Sequence, residues 1–152
     1  ICDSVFLSCR KDQESEFEKA PPKVIDQVLN SGPLGGILSA QMLHPEAAWL
    51  VIACDLPFLT PKTLLHLKTN RHAYKMASAF KSSSNGLPEP LCAIYEPKSF
   101  KININFFGNR KRCPRKILIN SDCHLIDPID KHALDNINTS DEFNTIKAPN
   151  YD

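Results

Sequence analysis

The stretch A-A-W-L-V-I-A-C-D-L-P-F-L-T-P, residues 47–61, decides how this chain is read. Residues 47–54 are all apolar, and Val51 and Ile52 are β-branched. The run is too short for a typical helix. It predicts a strand buried on both faces, of the kind found inside a parallel sheet. Asp55 follows directly, and Leu56-Pro57 ends the strand by removing a backbone donor. Thr60-Pro61 then predicts a helix start, with Thr as N-cap and Pro in the first helical position. Asp55 is therefore expected at the carboxyl end of a strand, where open α/β sheets bind ligands. A carboxylate there suits a hard cation such as Mg²⁺, and equally suits a turn cap.

Upstream, residues 30–40 read N-S-G-P-L-G-G-I-L-S-A and contain three of the five glycines of the chain. Gly32 and Pro33 predict another helix start, with Leu34, Ile37, Leu38 and Met42 on one face. Glycines at a helix start allow a ligand to approach the backbone, or a strand to pack closely. Residues 4–9 and 23–28 are expected as strands, the second carrying Asp26. Downstream, residues 61–68 predict a helix, and residues 76–80 and 91–95 predict strands around a polar loop ending at Gly86. Residues 97–107 are expected as a helix between strands, and 124–127 as a short strand.

The densest positive cluster is Arg110, Lys111, Arg112, Arg115 and Lys116, with Pro114 positioned to begin a helix. Beside a ligand edge it would hold phosphates; otherwise it is a solvated face. Asn136 and Asn138 are two residues apart and point the same way in extended chain. Two carboxamides at a strand end can hold phosphate oxygens, a metal's waters or a base edge, or bond the local backbone of a turn. Thr139 with Glu142 matches a capping box for a last helix.

The chain has 152 residues, 42% hydrophobic and 23% charged, which predicts one domain over 1–152 with a real core. A net charge of +1 gives no argument for nucleic acid, and no apolar run approaches a membrane span. The six cysteines form no C-x-x-C pair, and Cys54 and Cys92 lie in apolar runs. They read as reduced core cysteines of a cytoplasmic protein rather than zinc ligands.

The order of these signals is more specific than any one of them. G-P-L-G-G-I-L-S-A at 32–40, C-D-L-P at 54–57 and D-N-I-N-T at 135–139 together resemble the MobA-like nucleotidyltransferases, the family of the molybdenum cofactor guanylyltransferases. V-F-L-S-C-R at 5–10 and L-P-E-P-L-C-A-I-Y at 87–95 are also similar to that family. The resemblance implies a three-layer α/β fold with a mostly parallel, Rossmann-like sheet, as in nucleotide-diphospho-sugar transferases. It implies transfer of a nucleotidyl group, typically GMP from GTP, to the terminal phosphate of molybdopterin with Mg²⁺. It implies Asp55 as the metal-binding aspartate and Asn136 and Asn138 as the active-site pair. Gly32, Leu34 and Gly36 would form the turn near the nucleotide, with Gly35 and Asp26 beside it. Arg110, Arg112, Arg115 and Lys116 are added from their charge as candidates for the acceptor phosphate.

The family opens on a strand and a loop of the type L-A-G-G-x-S-x-R-M-G-x-D-K that wraps the triphosphate. Residues 5–9 resemble the strand that follows it, so the chain is expected to be a transferase domain without that segment. Two alternatives stand beside this reading. One is a related transferase with another base or acceptor, such as cytidylyl transfer. The other is a non-catalytic nucleotide-binding domain of the same fold.

Overall fold

The computed structural model describes residues 1–137 apart from Glu18, Ala20 and Leu29. Along them run β1 (Leu7–Cys9), a 3-10 helix (Lys11–Phe17), β2 (Lys23–Ile25), α1 (Pro33–Leu43), β3 (Trp49–Ile52) and α2 (Pro61–Thr69). Then follow β4 (Ala77–Lys81), β5 (Pro88–Tyr95), α3 (Ser99–Gly108), α4 (Pro114–Ile119) and β6 (Cys123–Ile126). Asn138, Thr139 and Glu142 lie outside the described residues.

The helix starts follow their punctuation. Pro33, Pro61 and Pro114 each stand at the head of a helix, where a missing N–H costs nothing. Thr60 caps α2, its Oγ1 accepting from Thr63 N at 3.2 Å. Gly32 takes a positive φ of 52°, which suits a residue without Cβ.

The strands form two sheets. β1 and β2 pair in parallel, and a four-stranded sheet runs β3-β5-β4-β6. Helices cover both faces of the larger sheet, which makes three layers. On one face Leu34, Ile37 and Leu38 of α1 and Ile117 and Leu118 of α4 meet Ala77 and Ala79 of β4 and Ala93 and Tyr95 of β5. On the other, Leu67 of α2 meets Phe80, Cys92, Ile94 and Ile126. Alternate residues of β5 thus serve opposite cores, as the period of a strand requires. Between α1 and α3, Gln41 bonds both Ser99 and Asn103, at 2.6 and 3.0 Å, in a buried polar link.

The α/β class holds, but two details differ from expectation. Residues 49–52 are not an interior strand: β3 is an edge of the four-stranded sheet and pairs only with β5 among the described residues. The second is β5, which runs antiparallel to both neighbours, while β3, β4 and β6 share one direction and keep the sheet mostly parallel. The cause of the first difference is that apolar composition reports on faces, not edges. Val51 packs against one core and Leu50 against the other, but no residue of β3 is fully buried and Ile52 is 42% exposed. The cause of the second is loop length. Six residues separate Lys81 from Pro88, with Gly86 at φ 69°, too few for a parallel crossover.

A third correction follows from where β3 stops. Cys92 is buried, but Cys54, expected beside it as core, is exposed, because the chain has left the sheet two residues earlier. Similarly, Met42 shares the helical face of Leu34 and Leu38 but lies at the exposed end of α1, 43% accessible.

Candidate active site

Where β3 ends, Ala53 N still donates to Leu91 O at 2.8 Å, and the chain then turns away from β5. Asp55 sits in this turn, half-buried. The segment before residue 138 returns to meet it. Ile137 N donates to Asp55 O at 3.1 Å, and Asn136 Nδ2 donates to Asp55 Oδ2 at 3.3 Å. Two residues 81 positions apart are thus joined at a strand's carboxyl end.

The other carboxylate oxygen is the informative one. Asp55 Oδ1 is buried and has no hydrogen-bond partner among the described residues. A buried, unpaired carboxylate oxygen is costly, so such a group calls for a ligand. A single hard oxygen donor at a ligand-binding edge fits Mg²⁺, which takes one or two carboxylates and completes its shell with water and phosphates. Among the described residues no group of three or more His, Cys, Asp or Glu side chains could hold a metal by itself.

Asn136 also lines a small open depression whose wall includes Leu56, the residue after Asp55. Leu56, Leu91 and Leu134 give it apolar walls, and Glu89 and Arg115 supply charge. Arg115 Nη2 donates to Glu89 Oε2 at 2.8 Å, and its Nε donates to Pro88 O at 3.2 Å. The basic cluster is therefore split. Arg115 reaches the site. Arg112 instead donates to Asn30 O at 2.7 Å, beside the head of α1, and lies over the Phe107 ring. Arg110 and Lys116 are exposed, with no bond to Asp55 or Asn136.

The glycine turn does not line the depression. A Cβ on Gly35 would lie 2.6 Å from Val28 O, and one on Gly36 would lie 2.6 Å from Ser8 Oγ. Both glycines let α1 approach β1 and the chain after β2, which is the packing alternative. The Leu34 side chain is core, 1% exposed, leaving only its backbone to meet a ligand. Asp26 accepts from Ser8 Oγ at 3.3 Å, and burial raises its pKa, the Ser8 bond opposing the shift. Of the expected site residues, the structure joins Asp55 and Asn136 directly and brings Arg115 to the same depression. Gly32, Gly35, Gly36 and Asp26 stand apart at the α1 head and flank, and Asn138 is outside the described residues.

Glu89 was not foreseen. The signal was present as a lone carboxylate in the otherwise apolar run P-E-P-L-C-A-I-Y. Reading the strand only from Leu91 left it in a loop.

The chain can now be set beside known proteins. It is 32% identical over 149 residues to the molybdenum cofactor biosynthesis bifunctional protein of Synechocystis, covering 95% of this chain and 42% of that protein. It thus spans less than half the length of that relative. It is 29% identical over 141 residues to a probable molybdenum cofactor guanylyltransferase of Flavobacterium johnsoniae, covering 86% of this chain and 70% of the relative. Among solved structures, a putative protein from Aquifex aeolicus superposes with a TM-score of 0.76 at 20% identity, covering 91% of this chain and 72% of the other. Molybdopterin-guanine dinucleotide biosynthesis protein A from Archaeoglobus fulgidus superposes with a TM-score of 0.71 at 23% identity, covering 91% and 74%. At these identities the superpositions bear on the fold alone. The profile of the MobA-like NTP transferase domain matches residues 1–119, and on that extent the chain belongs to the MobA-like NTP transferase family.

Proposed function

We propose that this domain serves nucleotidyl transfer in molybdenum cofactor biosynthesis, moving GMP from GTP onto the terminal phosphate of molybdopterin. The observation that carries the reading is Asp55 Oδ1, buried and unpaired among the described residues, beside Asn136 at the end of β3. An acceptor phosphate oxygen forms a bond to the α-phosphorus, the α–β phosphoanhydride bond breaks, and pyrophosphate leaves. No enzyme nucleophile is needed, so the residues position the reactants and balance their charge. Asp55 would hold Mg²⁺, which when bound neutralises phosphate charge and stabilises the leaving pyrophosphate. Asn136 fixes the carboxylate by donating to Oδ2, which leaves Oδ1 for the ligand. Arg115, bonded to Glu89, places a guanidinium in the wall of the adjoining depression.

The test is Asp55→Asn, which keeps the shape and an acceptor for Asn136. Pyrophosphate release from GTP with molybdopterin and Mg²⁺ should fall by about a hundredfold or more, since such charge stabilisation contributes roughly several kcal/mol. Mn²⁺ affinity, read by water-proton relaxation, should fall at least about tenfold, consistent with the loss of one charged ligand. Unchanged turnover and unchanged Mn²⁺ affinity in Asp55→Asn would refute the assignment.

A further inference from the structure

The depression beside Asp55 holds a carboxylate that phosphate chemistry does not use. Glu89 belongs to β5, with its side chain 22% exposed. Arg115 occupies Oε2, while Oε1 has no hydrogen bond among the described residues. Leu56, Leu91 and Leu134 line the same depression and offer apolar contact. A carboxylate has about four lone-pair sites on two oxygens and accepts two parallel N–H donors side by side. Resting on the transferase reading above, we propose that Glu89 accepts the ring N–H and exocyclic amine of a 2-amino-4-oxopyrimidine ring lodged in this depression. Arg115, bonded to Oε2, acts as a positioning residue that holds the Glu89 carboxylate turned toward the ring.

That donor pair is common to two of the proposed substrates, the pterin of the acceptor and the guanine of the nucleotide. Neither a pteridine with two oxo groups nor a hypoxanthine presents it. A site built on a carboxylate acceptor discriminates against rings that leave it unpaired, because a charged hydrogen bond is then lost.

The experiment is equilibrium binding of free ring compounds to the whole chain, followed by intrinsic ligand fluorescence or calorimetry, without turnover. The unaltered protein should bind pterin at least about tenfold more tightly than lumazine, or guanosine at least about tenfold more tightly than inosine. Whichever pair discriminates tells whether the acceptor or the nucleotide base lies here. Glu89→Gln presents a donor where an acceptor is needed and should remove that preference, while its amide oxygen keeps a partner for Arg115. The comparisons on unaltered protein need no variant, so they decide the matter even if Glu89→Gln folds poorly. Equal affinities within both pairs, absence of saturable binding by all four compounds, or a preference that survives Glu89→Gln in a folded variant would overturn the proposal. Glu89-dependent pterin binding in a protein without nucleotidyl transfer would sustain this inference and sink the transferase reading. Turnover with no Glu89-dependent preference would do the reverse.

Discussion

Gly35 and Gly36 are adjacent in α1, yet the structure predicts opposite outcomes for their replacement by alanine. In a helix Ala is favoured over Gly by up to about 1 kcal/mol, so both changes begin with a gain. At Gly35 the new Cβ would lie 2.6 Å from Val28 O, a backbone atom. That carbonyl cannot swing aside alone, because the chain just before it is tied to α1. Gln27 N donates to Ser39 Oγ at 2.8 Å, and that hydroxyl donates to Gly35 O at 2.7 Å. Overpacking of this kind costs about 1–3 kcal/mol, so Gly35→Ala should be destabilised by about 1–2 kcal/mol net. At Gly36 the obstacle is Ser8 Oγ, the end of a side chain that can rotate, at the loss of one exposed bond to Asp26. A net hydrogen bond is worth about 1 kcal/mol, so Gly36→Ala should be close to neutral. Urea titration of both variants measures the difference, with an unchanged slope showing that the denatured state is not responsible. For a chain of this length each kcal/mol moves the thermal midpoint by about 2–4 °C. If Gly35→Ala were as stable as the unaltered protein but bound GTP less well, the packing account of this glycine would fail, and direct ligand approach would replace it.

Arg71→Ala should cost about 3 kcal/mol in urea denaturation, because it strands Glu96, 2% exposed, which now receives two bonds from the guanidinium at 2.6 and 2.7 Å. Asp26→Asn should stabilise the protein at pH 7. Burial raises the folded pKa of Asp26, so its protonated form is favoured in the fold, and that stability is lost as pH rises through the folded value. The advantage of the variant over the unaltered protein should shrink as pH falls into the ordinary aspartate range; a constant advantage would exclude titration as its cause. Brief iodoacetamide treatment at pH 8 should modify the exposed Cys2, Cys54 and Cys113 and spare Cys92, whose thiol is pushed up to about 12 by burial; peptide mass mapping reads the result.

The sequence by itself determined what is local. Gly32-Pro33 and Thr60-Pro61 located the heads of α1 and α2, and the unbroken apolar run at 47–54 announced a strand, although its residues are only partly covered and Ile52 is 42% exposed. It also determined that Asp55 would stand at a strand's carboxyl end, because a carboxylate cannot continue such a run and Pro57 cannot extend the ladder. The order of C-D-L-P and N-I-N-T along the chain pointed to the family.

Only the tertiary structure decided what depends on neighbours. Burial on two faces has the same side-chain signature in an edge strand as in a central one, so the place of β3 in the sheet was hidden. The antiparallel course of β5 was readable in principle from the six residues before Pro88, but an alternating α/β expectation overrode it. Two adjacent glycines carry no mark of what approaches them; Val28 O and Ser8 Oγ do so here, and not the depression beside Asp55. The basic cluster looked like one unit in sequence. The turn at Arg110, with φ 58°, and the start of α4 send Arg112 to Asn30 and Arg115 to Glu89, so charge density along the chain did not become charge density in space. Asn136 and Asp55 show the converse. Nothing in their 81-residue separation states that they meet, and the contact exists because the chain after β6 returns across the end of β3.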